Sequence, residues 1–336
     1  MIMDCLYLGI DTSNYRTSVA LIDGSGSVIA EKAVLLDVPE GKRGLRQSEA
    51  FFRHSNRLPG YIDDIFAEAD PRGISAIGVS ERPRRVEGSY MPCFTAGMNA
   101  ASVLGSALNI PVYGFSHQEG HAAAILEGQS RTADTSLFFH LSGGTTEALI
   151  CRQDEAGYSM EIAGGTLDIS VGQLLDRFGV AIGCPFPSGQ YLDDKAYEVL
   201  ERIDFDTKKI TRSGVIPALK IKDGYFNLSG AETRLMAFAS EHCDEAEAAA
   251  EVTAELFAAI AGLLNDEAAY LSSKYSIDNI YMAGGVASSR TVRALLSKHD
   301  ELSITFGDPA LSGDNAVGTA LLAKRIHETG KRNTGK

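Results

Sequence analysis

His117 and His121, in the run FSHQEGHAAAIL, are the residues of this chain whose types and spacing most directly imply chemistry. Four residues is about one helical turn, so a helix here projects both imidazoles from one face toward a single ion. A third ligand is available from Asp314, in the run Ser312-Gly313-Asp314-Asn315 that opens an Ala-rich segment. Two His and one carboxylate with open positions suit a divalent iron or zinc site that works on substrate. The His pair alone also fits two unrelated histidines sharing a helical face. The metalloprotease pattern puts Glu directly after the first His. Here Gln118 stands there and Glu119 points off the shared face, which disfavours a peptidase.

Two stretches of the chain share a plan that could position such a site. Leu6 to Ile10 is an apolar run that breaks at Asp11-Thr12-Ser13-Asn14, returns as Ser18 to Ile22, turns at Gly24-Ser25-Gly26 and resumes at Val28 to Leu35. The second copy runs Leu137 to Leu141, breaks at Ser142-Gly143-Gly144-Thr145-Thr146, returns as Ala148 to Cys151 and resumes at Tyr158 to Ile162. Strand, tight turn, strand, turn, strand is a meander, and it occurs twice. Alternating helices and strands follow each copy. Ile74 to Val79, Ile110 to Phe115 and Asn279 to Met282 read as strands. Gly97 to Leu108, Glu245 to Lys274, Arg290 to Ser297 and Asp314 to Ile326 read as helices. The pattern predicts two related α/β domains facing a cleft.

Three turns recur at strand ends: DTSN at 11–14, SGGTT at 142–146 and AGGVASS at 283–289. Exposed backbone N–H groups in such turns bind anions, and glycine permits close approach. They could grip nucleotide phosphates, while a strand–Gly-Gly–helix turn could pack on adenine and ribose. Asp168, Gly172 and Asp176 are four apart, so a helix would stack them into a strip that could receive a sugar; an Asp N-cap with a glycine helix contact is the bland alternative.

The 336 residues exceed one ordinary domain, and 44% hydrophobic with 22% charged residues is usual for a globular protein. The net charge of −13 argues against a broad nucleic-acid surface. Local basic clusters remain at Lys42, Arg43, Arg46, Arg53 and Arg57, and at Arg82, Arg84 and Arg85. Five scattered cysteines without a C-x-x-C pair fit a reducing compartment. No signal peptide or membrane span is recognisable, which predicts a cytoplasmic protein.

Taken together, GIDTS (9–13), HQEGH (117–121), SGGTT (142–146), GGTLDISVGQLLDR (164–177), CPFPSG (184–189), FNLSGAET (226–233), AGGV (283–286) and GDNA (313–316) resemble the TsaD/Gcp/Kae-type family of the actin–Hsp70–sugar-kinase (ASKHA) superfamily. The resemblance runs from about Leu6 to Ala323. It implies an α/β fold of two duplicated domains around a nucleotide cleft. The first would be 1–115, completed by a helix at 314–327, and the second 116–313; residues 328–336 would be a disordered tail. It also implies transfer of a threonylcarbamoyl group from its adenylate to N6 of the adenosine beside the tRNA anticodon, releasing AMP. His117, His121 and Asp314 would hold one iron or zinc ion, with Asp11 near both that ion and the phosphate. Ser142, Gly143, Gly144 and Thr145 would lie at the phosphate. Asp168, Gly172 and Asp176 would lie at the ribose, with Gly284 and Gly285 at the adenine and Ser289 beside them. Partners would be tRNA, an adenylate-forming enzyme and a dimerising paralogue subunit, in a homo- or heterodimer.

Several family positions are substituted: Thr145, Ile169, Gln173, Arg177, Ser289 and the loop Ser80-Glu81-Arg82-Pro83-Arg84-Arg85. That pattern resembles a diverged paralogue. Two further outcomes are a carbamoyltransferase with a non-tRNA acceptor and a catalytically weakened partner subunit.

Overall fold

Every residue of the strand Leu6–Asp11 (β1) is buried, which requires both of its faces to be covered. The computed structural model describes residues 5–13, 16–38, 45–127, 135–155, 157–242, 245–299, 301–308, 311, 313 and 315–334. It divides into two units: one of residues 1–132, 152–159 and 310–336, the other of 133–151 and 160–309.

In the first unit β1 is the centre of a five-stranded sheet ordered β3-β2-β1-β4-β5. Strands β2 (Arg16–Ile22) and β3 (Val28–Leu35) continue it antiparallel. On the other side β4 (Ile74–Arg82) and β5 (Val112–Ser116) run parallel to it. One face, with Leu8, Ile10, Val19, Leu21 and Ile77, packs on Leu58 and Ile65 of α1 (Gln47–Glu68) and Ala96 and Ala101 of α2 (Phe94–Leu108). The opposite face, with Tyr7, Ala20, Ile22 and Ala76, packs on Ala316, Val317 and Ala320, where the last helix, α9 (Val317–Thr334), begins.

Helix α3 (His117–Leu126) follows β5 without a loop. Ser116 and Glu119 form a reciprocal capping box that satisfies N–H groups at its start. From Gln118 to Leu126 it is buried all round; its glycine, alanines, Ile125 and Leu126 suit that, while Gln118, Glu119 and His121 are buried polar groups that need partners. It lies directly on α9: a Cβ on Gly318 would collide with the Gly120 carbonyl. That contact gathers residues 116–126 into the first unit, whereas the boundary implied by the resemblance places them in the second. The last helix also runs to Thr334, past the expected tail boundary at 328. Arg325 pairs with Glu127 and Tyr7 reaches Glu328, contacts that tie the helix to the first unit as far as 328, and Lys324–Glu328 is an i,i+4 pair within it.

The second unit holds a six-stranded sheet ordered β11-β10-β6-β7-β8-β9. Its strands are β6 (Thr135–Leu141), β7 (Thr146–Asp154), β8 (Gly157–Thr166), β9 (Tyr225–Phe226), β10 (Ile280–Ala283) and β11 (Ile304–Phe306). Strand β10 is parallel to both β6 and β11. Read as β8-β7-β6-β10-β11, the order repeats β3-β2-β1-β4-β5, with β9 added at one edge. This is the duplication that the twin meanders predict. Helices α4 (Val171–Ala181), α5 (Gly189–Glu201), α6 (Ser229–Glu241), α7 (Ala246–Tyr275) and α8 (Arg290–Leu296) enclose a core that includes Leu137, Phe139, Phe178, Leu235, Phe257 and Met282. No helix among the described residues is long and apolar enough to cross a membrane.

Candidate functional site

Parallel strands β1, β4 and β5 end together in the first unit, and ligand chemistry in open α/β sheets gathers at such carboxyl ends. Asp11 closes β1, Ser80 lies near the end of β4, and His117 follows β5 at the first turn of α3. The register, with Ile10 opposite Val79 and Ser80 opposite Phe115, brings all three to one level. The Asp11 carboxylate is 1% exposed. One oxygen accepts from the Ser13 N–H at 2.8 Å and the Ser13 hydroxyl at 2.5 Å. The other accepts from the Ser80 hydroxyl and lies 2.9 Å from His117 Nδ1. Burial alone would raise this carboxyl, but the His117 ring and the hydrogen bonds from His117, Ser13 and Ser80 outweigh it and hold it below the usual carboxylate value.

An ionised carboxylate only accepts, so His117 Nδ1 carries the hydrogen, and in the neutral ring Nε2 keeps the lone pair that a metal needs. That Nε2 lies 3.0 Å from Nε2 of His121, one turn on, with the rings at 72°. Two imidazole nitrogens converging on one point, one fixed from behind by a carboxylate, form a donor set that suits a borderline divalent metal. The expected third ligand, Asp314, lies outside the described residues. Asp11 was expected beside the metal and the phosphate; it faces the non-converging nitrogen of His117. Thr12 is buried beside it, donating to Cys93 O and accepting from the Gly97 N–H at the start of α2.

In the second unit, the turns 142–145 and 284–289 follow the adjacent parallel strands β6 and β10. Gly143 and Gly144 are exposed, with open space around their Cα atoms. The turn is closed by the Ser142 N–H donating to Thr145 O and the Thr145 N–H donating to the Ser142 hydroxyl. Gly172 packs on it, because a Cβ there would strike Gly143 and the Ser142 carbonyl. Gly284, at φ +102°, lies against the Leu141 backbone, and Gly285 is open. The strip of Asp168, Gly172 and Asp176 is not one helical face: α4 begins at Val171, so Asp168 precedes it. Asp168 accepts from the Leu228 and Ser229 N–H groups at the start of α6, at 2.9 and 3.0 Å. Despite the opposing effect of burial, these and neighbouring hydrogen bonds hold its carboxyl far below the usual range. Asp176 accepts from the Ser188 N–H at the start of α5, and burial pushes its carboxyl up.

Two features were not singled out from sequence. His140 is a buried imidazole one residue before the end of β6, in a run that reads simply as a hydrophobic strand. Asp193, in α5, accepts from the Ser289 hydroxyl and the Arg290 and Thr291 N–H groups, and so holds the start of α8. The charged loop after β4 also behaves unlike a basic surface. Arg82 pairs with Glu81, and Arg85 reaches Asp154 and Glu119.

The sequence profile described as TsaD: tRNA N6-adenosine threonylcarbamoyltransferase matches residues 37–321. The chain belongs to this family. It is 27% identical to the tRNA N6-adenosine threonylcarbamoyltransferase of Thermotoga neapolitana over 329 residues, spanning 97% of this chain and 94% of the relative. It is 28% identical to that of Bacillus subtilis over 346 residues, spanning 98% and 92%. Among solved structures, full-length HypF in its phosphate- and nucleotide-bound form aligns with a TM-score of 0.57 at 11% identity, covering 96% of this chain and 47% of HypF. A ROK-family glucokinase from Streptomyces griseus aligns at 0.51 and 13%, covering 95% and 99%. The fold is thus of the actin–Hsp70–sugar-kinase type, and the TsaD family is one of transferases.

The positions that the resemblance marks as substituted take up local structural roles. Gln173 completes a capping box with Ser170, which needs an acceptor oxygen but no charge. Ile169 packs against the core, where a carboxylate would be costly. Arg177 pairs with Glu232 of α6 at 2.8 Å. Ser289 caps α8 by accepting from the Val292 N–H while donating to Asp193.

Proposed function

We propose that this chain transfers a threonylcarbamoyl group from threonylcarbamoyl-adenylate to N6 of the adenosine next to the tRNA anticodon. The reading rests above all on the converging Nε2 atoms of His117 and His121 with Asp11 behind His117. His117, His121 and Asp314 would hold one divalent iron or zinc ion, which when bound supplies Lewis-acid polarisation of the carbamoyl carbonyl. Asp11 acts as a positioning residue: a carboxyl held below the usual carboxylate value is a poor proton acceptor, and its bond to Nδ1 fixes the ring. The open Gly143-Gly144 turn offers backbone N–H groups to the adenylate phosphate, with Gly284, Gly285 and Ser289 near the base and Asp168, Gly172 and Asp176 near the ribose. In the reaction the adenosine N6 forms a bond to the carbamoyl carbon, the bond from that carbon to the AMP phosphate oxygen breaks, and N6 loses a proton. A cytoplasmic location, an adenylate-forming partner enzyme and a dimerising subunit belong to the same proposal.

One observation favours a second reading, in which the grip on the adenylate's nucleotide is weakened and the chain is a catalytically weakened partner subunit. Asp168 already receives two backbone N–H bonds from the start of α6 and one from Ile169, so its capacity for a ribose hydroxyl is reduced. The test supplies labelled threonine, bicarbonate, ATP, tRNA and an adenylate-forming enzyme. Label in tRNA nucleosides with the intact protein, and none with His117→Ala or His121→Ala, is the expected result. Both variants should also lose bound metal. Adenylate consumed without labelled tRNA would move the assignment to another acceptor, and no consumption would leave a non-catalytic partner.

A further inference from the structure

Each end of α3 carries a glutamate that meets an arginine from another element, loosely at 3.5 Å for Glu119 and closely at 2.7 Å for Glu127. At the first turn, Glu119 lies between the two histidines in sequence and is buried, its side chain 3% exposed. Its Oε2 accepts from the Ser116 N–H and hydroxyl, both at 2.8 Å. Its Oε1 faces the Tyr158 N–H at 3.4 Å and Arg85 Nη1 at 3.5 Å. The same Arg85 nitrogen donates to Asp154 at 2.8 Å and to the Tyr158 carbonyl at 3.2 Å. Just past the other end, Glu127 accepts from Arg325 at 2.7 Å and from the Tyr158 hydroxyl at 3.0 Å. Arg325 also donates to the Gly157 carbonyl at 2.5 Å and stacks on the Tyr158 ring. Gly157 must be glycine at this point: its φ is +145°, and a Cβ would lie 2.6 Å from Glu119 Oε1.

Two arginines from separate elements therefore each join a glutamate of the histidine segment to a carbonyl of the β7–β8 tip. A buried carboxylate needs such partners, and an arginine fork can serve several acceptors in fixed directions. We propose that Arg85 and Arg325 form a two-ended brace on α3 and are positioning residues for the metal-binding histidines, acting through Glu119 and Glu127. The inference rests on the metal reading above. It reassigns Arg85 from the RNA-facing surface that its sequence context suggests to the support of the site.

The test is a Co2+ titration of the full-length protein, followed by the visible absorption of the bound ion, alongside the melting temperature of the metal-free protein. Wild type and His117→Ala establish whether the histidines take the metal. Arg85→Met keeps the side-chain bulk and removes the fork; Arg85→Lys keeps a charge; Arg325→Met is the counterpart at the far end. Loss of outer support to metal ligands weakens affinity on the order of 10–100-fold. Arg85→Met should show such a loss with a changed absorption band, Arg85→Lys should recover part of it, and the metal-free Arg85→Met protein should melt lower than wild type but still fold cooperatively. Should wild type bind Co2+ through His117 and both Met variants bind it equally tightly, the brace proposal falls while the metal reading stands. Failure of wild type to bind at all would overturn both.

Discussion

A carboxylate's role in this protein is decided by what surrounds it. Asp11 has its negative charge stabilised by His117, Ser13 and Ser80 and remains an acceptor. Glu267, on α7, is the opposite case: it is 1% exposed, lies against Gly164, and among the described residues neither of its oxygens is in a full hydrogen bond, the Gly165 N–H donating chiefly to Gly224 O and only weakly toward it. Burial raises it from the ordinary 4.5 to about 8, against a smaller lowering from the Gly165 N–H. The folded state thus keeps a proton that the unfolded chain has released. Its contribution to stability is intact below about 4.5, declines by up to ~1.4 kcal/mol per pH unit as pH rises toward about 8, and is level above that. Urea unfolding of Glu267→Gln between pH 5 and 9 should show this slope removed relative to wild type. Parallel profiles would mean that Glu267 is not neutral in the fold. At the metal site, Asp11→Asn should keep the fold and lower metal affinity on the order of 10–100-fold by freeing the His117 ring; unchanged affinity would deny Asp11 its orienting role.

Among the elements, α3 and α8 both depend on contacts remote in sequence. The α3–α9 approach has no room for a methyl group, because Gly318 meets the Gly120 carbonyl. Gly318→Ala should therefore cost about 1–3 kcal/mol by overpacking and also weaken metal binding through displacement of α3. Thermal melting with and without Co2+ separates the two effects, and a variant as stable as wild type would refute the packing account. For α8, Asp193→Ala leaves the Arg290 and Thr291 N–H groups without their acceptor and should cost about 1–3 kcal/mol. AMP binding by that variant should weaken only as far as the Ser289 turn moves with the helix.

At the scale of the whole molecule, the last helix is part of the first unit's core, not an appendage. Ala316, Val317 and Ala320 cover the sheet face opposite α1 and α2. A chain ending at 309 should lose hydrogen-exchange protection in β1 and β4 but keep it in β6 and α7, whose core is separate. Protection retained in β1 would show that α9 is dispensable. The duplicated meanders, the parallel strands after each and the His117–His121 pair were legible in the sequence, because local periodicity and spacing carry them. The family motifs were legible for the same reason, since contiguous residues form each turn. Only the tertiary structure decided that α3 joins the first unit, that α9 extends to Thr334, and that Asp168, Asp193 and Ser289 hold helix starts. It also turned Arg85 toward Glu119. Those outcomes depend on which donor meets which acceptor across tens to hundreds of residues, and a buried charge is tolerable only where such a partner arrives.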